Sequence, residues 1–120
     1  MNEADPSPSA NLRQLCAPFA RPQLGRALWQ VVNTLLPFIA LWSLMAYAVR
    51  HHWNYLWVLL MALPAAGLYV RTFIIQHDCG HGSFFPNARD NNTLGAVLGV
   101  VTLLPYSYWR KTHAVHHGTS

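Results

Sequence analysis

The sequence predicts an all-α integral membrane protein, and three observations lead there. Hydrophobic residues make up 52% of the 120 positions and charged residues only 10%, against ~25% charge in an ordinary soluble domain. A soluble domain so poor in charge could not cover its surface. Two apolar runs, Leu28 to Val49 and Tyr55 to Ile75, hold no acidic residue. The link between them, Arg50-His51-His52-Trp53-Asn54, has room only for a tight turn, so the runs pair as an antiparallel hairpin.

From the N-terminus, Met1 to about Gln23 carries Glu3 and Asp5 and is punctuated by Pro6, Pro8, Pro18 and Pro22. Early acidic residues with no apolar core close behind argue against a secretory signal or transit peptide. Residues 1–26 read as a flexible tail, with a weakly amphipathic stretch from Leu12 to Phe19 that could lie against headgroups. Residues 27–120 form the membrane-embedded part.

The 22 residues from Leu28 to Val49 reach roughly 33 Å as a helix, enough to cross a hydrocarbon core. Pro37 should kink that helix, which a bilayer tolerates. Gln30, Asn33 and Thr34 near its start read as interfacial. In the second run Pro64 and Gly67 interrupt the apolar pattern, and Arg71 can snorkel to the interface near its end.

Positive charge reports orientation rather than nucleic-acid binding. The eight Lys and Arg residues are scattered, not gathered into a patch. Arg13, Arg21 and Arg26 precede the first span, and Arg71, Arg89, Arg110 and Lys111 lie at or beyond the end of the second, whereas the turn offers only Arg50. Both outer ends are therefore expected in the cytoplasm, with a bacterial inner membrane as the expected location. Cys16 in the polar tail and Cys79 among histidines do not make a disulfide framework.

Ser83 to Asn92 reads as a polar, turn-rich connector, and Leu94 to Leu104 as an apolar segment of about 11 residues, too short for a crossing. A re-entrant or interfacial segment also leaves the residues after it on the same membrane face as those before it. That matters because five of the seven histidines fall in two clusters, His77/His81 and His113/His116/His117, on either side of it.

On a helix, His77 and His81 stand one turn apart on one face, and His113, His116 and His117 occupy i, i+3 and i+4. Each set could aim imidazoles at a shared metal, and neutral imidazole suits iron, zinc, copper or nickel. Five histidines exceed the four ligands of ordinary zinc, so more than one ion is implied if all bind. Asp78 could accept a hydrogen bond from a ligating ring and fix its tautomer. His51 and His52, across the bilayer, are excluded as ligands. Phe84, Phe85, Tyr106, Tyr108 and Trp109 read as an interfacial aromatic belt, with a lipid-substrate channel as the alternative. His77-Asp78-x-x-His81 also differs from the zincin His-Glu-x-x-His by one methylene, which keeps an intramembrane zinc metalloprotease in view.

The run His77-Asp78-Cys79-Gly80-His81-Gly82-Ser83, followed by Pro105 and Trp109-Arg110-Lys111-Thr112-His113-Ala114-Val115-His116-His117, resembles the first and second histidine boxes of membrane-bound fatty acid desaturases. The spacing is most similar to acyl-lipid enzymes of the delta-12 or omega-6 type. The resemblance implies a helical membrane protein with a cytosolic cap and a two-iron centre ligated by His77, His81, His113, His116 and His117. It further implies oxidation of a fatty acyl lipid by dioxygen, with electrons from a carrier such as ferredoxin or cytochrome b5. No side chain performs such chemistry, so a cofactor must carry it. A related iron-dependent lipid or carotenoid hydroxylase would share these features. The family pattern has a third box, His-x-x-His-His, and the 120 residues supply five of eight box ligands, so this chain is expected to be an N-terminal portion, inactive alone.

Overall fold

The computed structural model describes Leu12, Leu15, Cys16 and residues 21–118, without the side chain of His117. The expected flexibility of the tail, and the headgroup-facing stretch from Leu12 to Phe19, fall largely outside the described residues. From residue 21 onward the chain is helical: α1 (Leu24–Arg50), α2 (Tyr55–Gly80), α3 (Ala88–Val101) and α4 (Tyr106–Gly118). No strand occurs among the described residues.

Helices α1 and α2, 27 and 26 residues long, extend about 40 Å each at 1.5 Å per residue. Both are apolar enough to cross a bilayer. They pair as the expected antiparallel hairpin. The turn between them places His52 at φ 55°, and Trp53 N donates to Ala48 O at 2.9 Å. Asn54 starts α2 by accepting from Leu56 N at 2.9 Å, satisfying one of the amide donors that a helix start leaves open. Helix α1 continues through Pro37.

The hairpin is built inside out relative to a soluble protein. Large apolar side chains face outward, with Trp29 66%, Leu36 68% and Leu63 72% exposed. The buried seam is made of Ala27, Thr34, Ala48, Ala65 and Thr72, besides Phe38 and Met45. Small residues let helix backbones approach where lipid removes any hydrophobic drive for association. The two buried hydroxyls are satisfied within their own helices, Thr34 Oγ1 donating to Gln30 O at 2.6 Å and Thr72 Oγ1 to Leu68 O at 2.8 Å. Arg71 does not merely snorkel: its Nη2 donates to Asn33 Oδ1 at 2.7 Å. Asn33 therefore links the two helices rather than only marking an interface.

The connector between the histidine clusters is more ordered than its composition suggests. Helix α3 begins at Ala88, inside the stretch read as turn-rich, because Asn87 caps it by accepting from Arg89 N at 2.9 Å and Asp90 complements the first turn. Buried Asn91 clamps the preceding loop, accepting from Phe85 N at 2.8 Å and donating to Phe85 O at 2.7 Å. That clamp draws Phe84 and Phe85 into the core with Ala27, Ile75, Cys79, Leu98 and Tyr106. Phe84, Phe85 and Tyr106 are thus core residues rather than an interfacial belt, while Tyr108 is 70% exposed. The Tyr106 ring fills the space that a side chain at Gly95 would need. At 14 residues, α3 extends about 21 Å, less than the ~30 Å of a hydrocarbon core.

A buried polar junction fixes the turn between α3 and α4 to the middle of the hairpin's end. Thr102 Oγ1 donates to Gln76 Oε1 at 2.5 Å, Gln76 Nε2 donates to Leu104 O at 3.4 Å, and Tyr69 Oη donates to Thr102 O at 2.7 Å. Gln76 is fully buried. Substituting Gln76→Leu removes the partner of the Leu104 carbonyl and leaves the Thr102 hydroxyl only its bond to Leu98 O at 3.0 Å, at a cost of about 1–3 kcal/mol. The expected result is a lower unfolding midpoint in detergent, followed by circular dichroism, with helix content at low temperature unchanged.

Burial also separates the two thiols, since Cys79 is 1% exposed and Cys16 is exposed. Maleimide should label Cys16 in the folded chain and reach Cys79 only after denaturation, with mass spectrometry reading the adducts.

Candidate metal centre

The unbroken run of α2 to Gly80 sets up the first half of the site. With no breaker between Ile75 and Gly80, the helix passes through the first cluster and places His77 and His81 one turn apart. It closes immediately afterward: His81 N donates to His77 O at 3.1 Å, Gly82 N to Cys79 O at 3.0 Å and Ser83 N to Asp78 O at 3.0 Å. Gly82 adopts φ 69°, the left-handed conformation typical of a helix end, which glycine takes without steric cost. The second half comes from α4, whose first turn closes with Trp109 N donating to Pro105 O at 2.9 Å. Arg110 Nη1 donates to Asn92 Oδ1 at 2.7 Å, tying α4 to α3.

The two halves meet. His81 Nε2 lies 3.3 Å from His77 Nε2 and 3.1 Å from His113 Nε2, and one ligand atom from each of the three residues falls within 4.8 Å of the others. The ring centroids are 4.5 to 5.0 Å apart. Asp78 Oδ1 lies 3.3 Å from His77 Nδ1, on the side of the ring away from the cluster. A carboxylate there favours the tautomer with hydrogen on Nδ1, which leaves the Nε2 lone pair directed at His81 and His113.

Three imidazole nitrogens turned toward one another suit a shared cation. Neutral lone pairs repel, and one Nε2–H on His81 can point at only one neighbour. A shared proton or a metal cation resolves the arrangement, and the all-nitrogen donor set suits a first-row transition metal. Among the described residues the site is half open to solvent, with His81 exposed and His77 and His113 half buried.

The remaining sequence candidates separate clearly. His116 lies farther out, its ring centroid 6.5 Å from that of His113, and the side chain of His117 is outside the described residues. His51 and His52 occupy the turn at the opposite end of α2, about 39 Å away along that helix. Asp78 faces the outer nitrogen of His77 rather than the cluster, unlike the water-activating acid that a zincin requires, and His113 joins the site that a zincin reading leaves unexplained. Trp109, read from sequence as part of a belt, instead stacks on His113 at a centroid distance of 4.7 Å and an interplanar angle of 16°. Gln76, Tyr69 and Thr102 carried no sequence signal, because their role depends on a contact between distant turns. An apolar groove of about 1060 Å³ is lined by Trp42, Met45, Ala65 and Tyr69 among others. None of His77, His81 and His113 lines it.

Comparison with known proteins bears on what such a site does. The sequence profile of a family described as fatty acid desaturase matches residues 51–120. A fatty acid desaturase from Bacillus subtilis (strain 168) is 43% identical over 109 residues, covering 91% of this chain and 30% of that protein. The chloroplastic sn-2 acyl-lipid omega-3 desaturase (ferredoxin) of Helianthus annuus is 36% identical over 90 residues, covering 74% of this chain and 20% of that protein. The endoplasmic-reticulum omega-3 fatty acid desaturase of Vigna radiata var. radiata is 37% identical over 76 residues, 62% of this chain and 20% of that protein. The chain therefore spans 30% or less of the length of each, and none of the three names carries a delta-12 or omega-6 position. No solved structure matches.

Proposed function

The chain belongs to the fatty acid desaturase family, and from that premise we propose that His77, His81, His113, His116 and His117 are ligands of a two-iron centre that desaturates a fatty acyl lipid. The observation that carries this reading is the convergence of His77, His81 and His113 from two boxes on separate helices, with Nε2 separations of 3.1 and 3.3 Å. When bound, the irons supply the dioxygen chemistry that removes two hydrogens from an unactivated acyl chain, which no side chain can perform.

The chain's own residues do the positioning. Asp78 holds the His77 ring so that Nε2 faces inward, and α4, tied to α3 and to the end of α2, delivers His113. The hairpin sets the centre at the end of two membrane-length helices, where an acyl chain in the bilayer can approach. The half-open face of the centre admits an aqueous electron carrier of the ferredoxin or cytochrome b5 type. The flanking arginines favour a cytoplasmic position for that face, with α3 interfacial or re-entrant. Turnover is assigned to a centre completed by the third box of the family pattern.

Two measurements test this reading. In detergent, Fe(II) or Co(II) titration of the chain should show uptake that His81→Ala or His113→Ala weakens at least tenfold, while His51→Ala and His52→Ala leave it unchanged. Unchanged affinity in His113→Ala would sink the shared-site reading. In a host expressing the full protein, gas chromatography of fatty acid methyl esters should show a new double bond, whereas a hydroxylated acid would assign the related hydroxylase chemistry.

The bond from His77 to Asp78 gives a further expectation. Asp78→Ala removes the partner of a ligating ring, and Co(II) affinity should fall by roughly 10- to 100-fold, as losing such outer partners commonly does.

A further inference from the structure

Helix geometry alone does not orient His113. Its position on α4 fixes where the ring hangs, but rotation about Cβ–Cγ is broad for histidine, with no strongly preferred plane. A second contact must set the ring plane if Nε2 is to face His81 and His77. The indole of Trp109, four residues earlier and on the same face of α4, supplies such a contact. The two rings lie nearly parallel, 16° apart, at 4.7 Å between centroids.

Trp109 is itself held on other sides. Phe73 meets it edge-on at 5.9 Å and His77 lies 5.6 Å away, so the indole fills the space between α4 and the last turns of α2. It reaches that position because residue 80 is glycine. A Cβ built on Gly80 would lie 2.6 Å from Trp109 Cζ3 and 3.3 Å from Cη2, closer than packed carbon atoms come. The absence of a side chain at Gly80, in the middle of the first histidine cluster, is thus the seat of an aromatic side chain from the second.

We propose that Trp109, seated on Gly80, is a positioning residue that fixes the ring plane of His113 and with it the direction of the His113 lone pair. The inference rests on the metal reading for its consequence, but the stack exists without any metal. It assigns separate roles to neighbours in the motif: His113 holds the metal, Trp109 holds His113, and Gly80 makes room for Trp109. Any residue larger than glycine at 80 displaces the indole, and the effect then reaches His113 without touching it.

The test has two arms, both on the chain in detergent, with circular dichroism as the control for helix content. In the metal-free chain, the His113 ring protons should appear upfield through the ring current of Trp109, return toward ordinary values in Trp109→Ala, and stay upfield in Trp109→Phe. In Co(II) titrations, Trp109→Ala and Gly80→Ala should each weaken binding about tenfold and change the visible absorption of the bound ion, with Trp109→Phe recovering most of the affinity. Because both changes act on one contact, Gly80→Ala should cost little more in the Trp109→Ala background, a coupling that a double-mutant cycle reads directly. An unshifted His113 in the unsubstituted chain, wild-type Co(II) affinity in Trp109→Ala, or fully additive losses would each overturn the inference. Failure of the unsubstituted chain to take up Co(II) overturns the metal reading instead, and the ring-current arm still decides the stack.

Discussion

In an apolar surrounding a side-chain amide without partners costs several kcal/mol, so a fully buried glutamine at the end of a membrane-length helix must have its bonds supplied from elsewhere. Gln76 obtains them from the turn between α3 and α4, through the Thr102 hydroxyl and the Leu104 carbonyl, and Tyr69 adds a third bond to the same turn. The rest of the arrangement depends on this junction. It brings the start of α4 back over the end of α2, one residue from His77, and so determines which face of α4 meets the first histidine pair.

The same requirement runs through the hairpin. Lipid offers no partners to polar groups, so each buried hydroxyl in the seam bonds to its own helix, and Ala27, Ala48 and Ala65 beside them permit close approach. The half-exposed imidazoles of His77 and His113 and the exposed one of His81 are gathered at one end, beyond the apolar section. The opposite end, with His51, His52 and Trp53, only closes the turn: Tyr47 packs against His51 and Trp53 there.

Much of this was legible in residue order. Both membrane-length helices, the tight turn between them, the short third segment and the two histidine clusters follow from hydrophobic run length and from spacing on a helix, which are local properties. The extent of α3 was not, because Asn87, Asp90, Asn91 and Asn92 have turn-like composition and became a helix start through capping and through the clamp of Asn91 on Phe85. The aromatic residues mislead for the same reason. Phe84, Phe85 and Tyr106 look like an interfacial belt until the loop is drawn onto the core, and Trp109 until α4 is placed against Gly80.

By itself, then, the sequence determined the membrane class, the hairpin and the two histidine clusters, since each rests on periodicities and lengths that a helix imposes on neighbouring residues. Only the tertiary structure decided that His77, His81 and His113 share one point, that Asp78 backs His77, and that Gly80 admits Trp109 against His113. The meeting of His113 with His81 and that of Trp109 with Gly80 are contacts across about 30 residues of chain. Their physical basis is the satisfaction of Gln76 and the absence of a single Cβ, which no local pattern encodes.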